Sequence, residues 1–137
     1  MILALKTADR TTQAWLLDPA ELQPAAAKIG QPQLDWESGR RLSDELLGRL
    51  TGLIESGGHQ LTDLTGIVIF SGPGSFTSLR IGHATVNALA DGLNIPVVGA
   101  AGDAWLTQGI KALASAKPGV PVLPEYGAEA HITKPKA

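Results

Sequence analysis

The chain contains 137 residues, with 11 lysine and arginine residues against 13 aspartate and glutamate residues, a formal net charge of −2 and no cysteine. This length can bury a hydrophobic core without metals or disulfides, so we expect one lobe over residues 1–117 and a proline-containing arm over residues 118–137. Without cysteine the chain has no thiolate chemistry. Its charges are scattered, so it lacks the basic block that a protein needs to bind nucleic acid by itself. No apolar run is long enough to span a bilayer, which predicts a cytoplasmic protein without a membrane partner.

The first third of the chain predicts a meander of strands before any helix. A buried-type strand covers Ile2–Lys6, and a second strand covers residues 12–17. Residues 22–29 predict a third, antiparallel strand, which Pro24 restricts to the edge of a sheet. Residues 30–36 are expected to form a loop.

The rest of the chain alternates helices with strands. Apolar residues recur at helical spacing over residues 37–56, and the glycine pair that follows marks a helix end. A continuous apolar run predicts a strand at Gly66–Phe70. The later predicted elements are a helix over residues 76–90, a strand over 94–99, a helix over 101–116 and an optional strand over 120–123. This order favours an α/β fold, a ribonuclease H-like lobe with a mixed five-stranded sheet and helices on both faces, the lobe also found in sugar kinases and actin.

The rest of the chain is organised around the glycine-rich stretch at residues 71–82, which follows the apolar strand and precedes a helix. Its glycines permit unusual backbone angles, Pro73 fixes its own φ, and Ser75 or Thr77 can cap the helix. Free N–H groups at such a turn favour an anion, although any short strand-to-helix connection needs the same residues. The stretch lacks the Lys-Ser/Thr pair of a P-loop and the spacing of a hydrolase nucleophile elbow.

A metal-dependent catalytic centre is not predicted. Nucleases and kinases of this layout hold divalent metal with carboxylates at the ends of adjacent strands, where this chain has Lys6 and Ser71. Asp9 lies further on, in the turn. The histidines lack metal-ligand spacing and are expected to be surface or boundary residues: His59, His83 and His131.

Residues 72–82, GPGSFTSLRIG, resemble the GPGSFTGLRIG motif of the TsaB (YeaZ) family. The opening ILALKT at residues 2–7 is similar to the family's ILALDTS, and residues 61–67 and 92–99 flank the motif at the family's usual distances. The resemblance covers roughly residues 1–115. The residues of the motif turn are Gly72, Pro73, Gly74, Ser75, Phe76, Thr77, Arg80 and Gly82.

The resemblance implies an actin-like ATPase fold and a role in making N6-threonylcarbamoyladenosine in tRNA. TsaB-like proteins are non-catalytic subunits that bind and activate TsaD, which transfers the threonylcarbamoyl group to adenosine. The ATPase TsaE is a further expected partner, and tRNA is expected to bind only through the complex. Nucleotide and metal are expected on TsaD, with no cofactor in this chain.

In the family, the pairing uses two helices, which correspond here to residues 37–56 and 76–90. The implied contact residues are Leu42, Leu46, Leu50, Ile81, Ala84, Thr85 and Ala88. If Leu46 is exposed, replacing it with glutamate should abolish pairing without unfolding the lobe.

The sequence departs from the family at three points. Lys6 replaces an aspartate, which weakens metal and nucleotide binding in this lobe, and Ser78 replaces a glycine. Family members also continue into a second lobe, so this chain resembles a minimal single-lobe form.

Two other hypotheses stay open at this point. The first is a small hydrolase or ATPase that uses the turn at Gly72 and Gly74. The second is a homodimeric regulatory protein that pairs through the same two helices.

Overall fold

The computed structural model describes residues 1–22 and 29–126. These residues form one mixed sheet with strand order β3-β2-β1-β4-β5 and three α-helices. The strands are β1 (Ile2–Lys6), β2 (Thr11–Leu17), β3 (Leu34–Glu37), β4 (Gly66–Phe70) and β5 (Val97–Ala100), and the helices are α1 (Leu42–Ser56), α2 (Phe76–Leu93) and α3 (Trp105–Leu113). β1 pairs antiparallel with β2 and parallel with β4; β2 pairs antiparallel with β3, and β4 parallel with β5. Within the described ranges, no helix has the length and apolar character needed to cross a membrane.

The two central strands are buried on both faces, which explains their continuous apolar sequences. Successive side chains point to opposite sides, so Leu5 and Ile69 face one layer while Ala4 and Val68 face the other. The first layer is formed by α1 and α2, and the second by α3. The predicted five-stranded sheet with helices on both faces is therefore confirmed.

The first helix is shorter than predicted at its N-terminal end. It begins at Leu42, after a 3-10 turn at Gly39–Arg41, rather than at residue 37. Glu37 belongs to β3 instead, and the backbone N–H of Ser38 donates to the carbonyl of Arg10 at 2.9 Å. Sheet pairing thus takes Glu37, and the 3-10 turn takes Gly39–Arg41, from the residues that helical spacing had assigned to the helix.

The third strand lies later in the chain than predicted. It covers Leu34–Glu37, so the expectation of a loop over residues 30–36 is wrong for its last three residues. The predicted strand over residues 22–29 falls mostly outside the described residues, and Leu22 at its start belongs to a 3-10 turn. In β3 the apolar side chains point inward and the acidic ones outward, and the Arg49 guanidinium lies 4.8 Å from the centre of the Trp36 ring. Four residues are too few for this alternation to stand out in the sequence.

The C-terminal elements also differ from the prediction. α3 is shorter than residues 101–116, because Gly102 adopts a φ of +86° before it and residues 115 and 116 make i→i+3 turn bonds after it. Residues 120–123 do not form a strand. They belong to an extended segment that packs along α2, described below.

Candidate functional site

The glycine turn connects β4 to α2 as the sequence predicts. β4 ends at Phe70 and α2 begins at Phe76, and the Ser75 hydroxyl caps the helix by accepting a bond from the Ser78 N–H at 3.4 Å. Gly72 has a φ of +124°, a conformation that strains residues with a Cβ atom. The motif therefore has its expected place between strand and helix.

The turn packs tightly against the connection between β1 and β2. The Ser75 N–H donates to the Ala8 carbonyl at 2.7 Å, and a Cβ atom at Gly74 would overlap that same carbonyl oxygen. The Ser75 amide, which an anion at the helix start would have used, is therefore occupied by the chain itself. Glycine at position 74 allows the two backbone segments to approach this closely, because it has no Cβ atom.

A second contact fixes the first turns of α2 to the end of β1. Thr7 is fully buried, and its hydroxyl donates to the Ser78 carbonyl at 2.9 Å. A Cβ atom at Gly82 would overlap the Thr7 hydroxyl and lie 3.0 Å from its Cβ. Gly82 is thus required because α2 lies directly on Thr7.

The hydrogen bond of Thr7 allows a direct test. We expect Thr7→Val to destabilise the lobe by about 1 kcal/mol, because it removes the hydrogen bond that the fully buried Thr7 makes to the Ser78 carbonyl. Thr51→Val is the matched control: Thr51 makes the same kind of bond, to the Leu47 carbonyl at 2.8 Å, but at the surface. Urea unfolding of both variants would measure the difference. Equal losses of unfolding free energy in the two variants would show that the Thr7 bond contributes no more to stability than the surface bond of Thr51.

The end of β1 carries a positive charge where a metal site of this fold would need a negative one. The Lys6 ammonium lies 4.5 Å from the centre of the Phe70 ring, a cation–π contact at the ends of β1 and β4. Among residues 1–22 and 29–126, no three histidine, aspartate or glutamate side chains are grouped so as to hold a metal ion. The charge of Lys6 opposes cation binding at this position.

The outer sides of α1 and α2 form a surface of small and apolar residues. Because α1 and α2 both lie on the same face of the sheet and each leads into a strand parallel to β1, they run in the same direction and contact each other. We call this surface the two-helix face; its residues are Leu47, Gly48, Thr51, Gly52, Ile81, Ala84, Thr85 and Ala88. Leu47 is 52% exposed, a large value for an apolar side chain.

Packing among the described residues does not explain two glycines of this face. A Cβ atom built at Gly48 or Gly52 has no neighbouring atom within 4 Å among the described residues. Each glycine in a helix interior costs about 1 kcal/mol relative to alanine. Their small size therefore favours close approach of something outside the lobe.

The structure corrects the predicted contact residues on α1. Leu42, Leu46 and Leu50 are at most 1% exposed and pack into the core against the sheet, so they are not surface residues. They recur every four residues on the side of the helix that covers the central strands. The exposed small and apolar residues of α1 that the prediction did not name are Leu47, Gly48 and Gly52.

The predicted residues on α2 lie on the two-helix face. Ala84 and Ala88 are exposed, and Ile81 and Thr85 are half-buried beside α1. Arg80 is exposed near the start of α2, with its guanidinium 5.3 Å from the centre of the exposed Phe76 ring. The N-terminal end of α2 thus adds a charged and an aromatic side chain to the edge of the face.

His83 is buried, contrary to the expectation of a surface or boundary residue. It is 2% exposed, and its Nδ1 lies 2.8 Å from the Leu79 carbonyl. Because a carbonyl only accepts, Nδ1 carries the proton, and Nε2 has no partner among the described residues. Burial lowers the pKa of His83 below its ordinary value of 6.5.

This burial predicts a pH dependence of stability. The folded protein keeps His83 neutral, whereas the unfolded chain binds a proton as the pH falls through about 6.5, so the unfolded state gains stability there. We expect the contribution of His83 to the free energy of unfolding to be constant above pH 7. Between pH 6.5 and 5 we expect the free energy of unfolding to fall. Urea unfolding across this range should show a smaller slope for His83→Gln than for the parent chain. An unchanged slope would assign the dependence to other groups.

A family model, "TsaD: tRNA N6-adenosine threonylcarbamoyltransferase", matches residues 37–126, which span both helices, the glycine turn and α3. The chain belongs to this family. The tRNA threonylcarbamoyladenosine biosynthesis protein TsaB of Escherichia coli (strain K12) is 31% identical over 70 residues, covering 51% of this chain and 30% of that protein.

Two solved structures from Pseudomonas aeruginosa share the fold. One is of an uncharacterized protein with similarity to peptidase YEAZ, with a TM-score of 0.61 and 27% identity over 73% of this chain and 42% of that one. The other is YeaZ, with a TM-score of 0.61 and 26% identity over 73% and 43%. Within its family the chain is therefore TsaB/YeaZ-like, as the motif predicts, and it spans less than half the length of these relatives.

Proposed function

We propose that the chain is a non-catalytic subunit in the biosynthesis of N6-threonylcarbamoyladenosine in tRNA, and that it binds and activates a TsaD-like partner. The observation that carries the proposal is the two-helix face, where Gly48 and Gly52 have no packing role among the described residues. Membership of the family and the likeness to E. coli TsaB support the pathway.

The geometry of the face suits a helical partner. Small residues on two adjacent helices let the axes of further helices approach to about 8 Å, at the close end of ordinary helix packing. Leu47, half-exposed on this surface, is the apolar anchor that we assign to the contact. We therefore propose a four-helix arrangement with two helices of the partner.

The charges and contacts of the glycine turn support a subunit without its own catalytic centre. Lys6 opposes a metal ion at the end of β1, and the Ser75 amide is bonded to Ala8. We therefore place nucleotide and metal on the partner, and we expect TsaE and tRNA to join only the assembled complex. An ATPase that used the turn would instead show magnesium-ATP binding by the isolated chain in calorimetry.

The test is tRNA threonylcarbamoylation by the cognate TsaD-like protein, supplied with the threonylcarbamoyl adenylate, with and without this chain. We expect strong stimulation together with co-elution of the two proteins. Co-elution without stimulation would remove the activating role, and absence of both would remove the proposal.

Leu47→Glu locates the contact within that assay. We expect it to reduce partner binding at least tenfold, because it places a charge at the centre of an apolar contact. Lys111→Glu is the control, since Lys111 is exposed on α3, on the opposite side of the sheet. Unchanged binding of the Leu47 variant would move the contact away from the two-helix face.

A second copy of the chain is the alternative occupant of this face. If two copies packed with their helices antiparallel, Arg80 of one would approach the exposed Asp91 of the other, so the pairing would be complementary in charge. Sedimentation of the isolated chain over a range of concentrations would detect this homodimer.

A further inference from the structure

The chain that follows α3 returns across the lobe as an extended segment, residues 120–126, which we call the strap. The side-chain amide of Asn87 on α2 pairs with the strap backbone in both directions: it donates to the Val122 carbonyl and accepts from the Val122 N–H, each at 2.9 Å. Further along, the Glu125 N–H donates to the Ser71 carbonyl at 2.7 Å. The strap backbone is thus held at two points much as a strand is held in a sheet.

The strap side chains alternate as they do in a β-strand. Val122, Pro124 and Tyr126 are half-buried, whereas Pro121, Leu123 and Glu125 are exposed. Val122 packs against the core beneath α1 and α2, and the centre of the Tyr126 ring lies 4.5 Å from that of Phe76. The groove therefore has an aliphatic position and, four residues later, an aromatic position.

The glycine turn forms one wall of this groove. A Cβ atom at Gly72 would overlap the Glu125 carbonyl oxygen, so only glycine at this position admits the strap backbone. The absence of a side chain at Gly72 makes room for the strap backbone, just as its absence at Gly74 makes room for the Ala8 carbonyl.

The strap does not fill the groove. A cavity of about 320 Å³ lies between the second half of α2, the start of β5 and the start of the strap. Val120, at this end, is 64% exposed, and Leu123 is 79% exposed. The strap is therefore attached through its backbone and two or three side chains, with unused space beside it.

We propose that this groove is a binding site for an extended peptide, which the chain occupies with its own strap and which the same peptide supplied from outside can enter. The peptide class is an extended segment with an aliphatic residue at the position of Val122 and an aromatic residue at that of Tyr126. Asn87 and Ser71 read the backbone of this peptide. The inference does not rest on the proposed TsaD-like partner, because every contact lies within this chain.

The test uses the 137-residue chain with its strap released by Val122→Asp, which places a charge against the core and leaves the groove intact. The probe is a fluorescein-labelled peptide of residues 119–126, followed by fluorescence anisotropy. We expect binding to this variant and at least tenfold weaker binding to the parent chain, because a tethered strap competes at an effective concentration on the order of millimolar. Adding Asn87→Ala to the receptor should abolish binding, whereas adding Thr85→Ala, on the other side of α2, should not.

Absence of binding to a folded Val122→Asp variant would overturn the proposal, as would binding that Asn87→Ala leaves unchanged. If the variant fails to fold, hydrogen exchange of the parent chain decides. The Val122 and Glu125 amides should then exchange much faster than those of β1 and faster again in Asn87→Ala. Protection equal to that of β1 would show a permanently attached strap and would also overturn the proposal.

Discussion

Gly82→Ala is expected to destabilise the lobe by about 3 kcal/mol, although alanine is the better helix former. The added methyl group would overlap the hydroxyl of the buried Thr7, so either α2 must move away from β1 or Thr7 must give up its bond to Ser78. Urea unfolding at pH 7 measures the loss.

Gly48→Ala is the matched control for this substitution. Gly48 also lies in a helix interior, but no described atom stands within 4 Å of its added Cβ atom. We expect it to stabilise the lobe by about 0.5–1 kcal/mol while weakening docking of the TsaD-like partner on the two-helix face. The intrinsic gain of helix propensity is the same in both variants, so the contrast isolates the contact with Thr7. A Gly82→Ala variant as stable as Gly48→Ala would refute this assignment.

Leu46→Ala and Leu47→Ala, at adjacent positions of α1, are expected to separate stability from binding. Leu46 is 1% exposed in the core, so its truncation should cost about 2–5 kcal/mol of unfolding free energy. Leu47 is half-exposed, so its truncation should change stability by less than about 0.5 kcal/mol and should reduce partner binding. Thermal or urea unfolding together with a partner titration measures both effects.

The same pair revises the expectation for Leu46→Glu. A carboxylate at this buried position has no partner in the core, so we expect the variant to unfold rather than to remain folded without pairing. Leu47→Glu is the variant that we expect to fold but to bind the partner weakly. A folded Leu46→Glu chain would show that α1 is seated differently on the sheet.

Sequence patterns predicted the architecture where they were long and strongly periodic. The apolar runs at β1 and β4, and the glycine turn between β4 and α2, fixed the order of the elements and the buried centre. They failed at β3, where four residues carry too little alternation, and at the start of α1, where pairing of Glu37 with Thr11 overrides helical spacing.

The surface residues were harder to predict because helical spacing alone does not say which side of a helix meets the sheet. α1 has apolar residues over a wide arc, and burial of β1 and β4 selects the side with Leu46 and Leu50. Leu47 therefore lies on the side of α1 that stays exposed at the surface. Likewise, the motif predicts a turn that needs glycine. Only the folded chain shows that Gly82 contacts Thr7 and that Gly72 contacts the strap.

The attachment of the strap to the glycine turn has a consequence for the order of events during synthesis. The Ser71 carbonyl receives its hydrogen bond from Glu125, a residue near the end of the described chain. Once β5 has left the ribosome, the sheet and α2 can assemble, but the Ser71 carbonyl has no bonding partner until the strap follows. A nascent chain therefore exposes an open groove beside α2 until the strap leaves the exit tunnel, and during that interval an extended segment of another polypeptide has access to it.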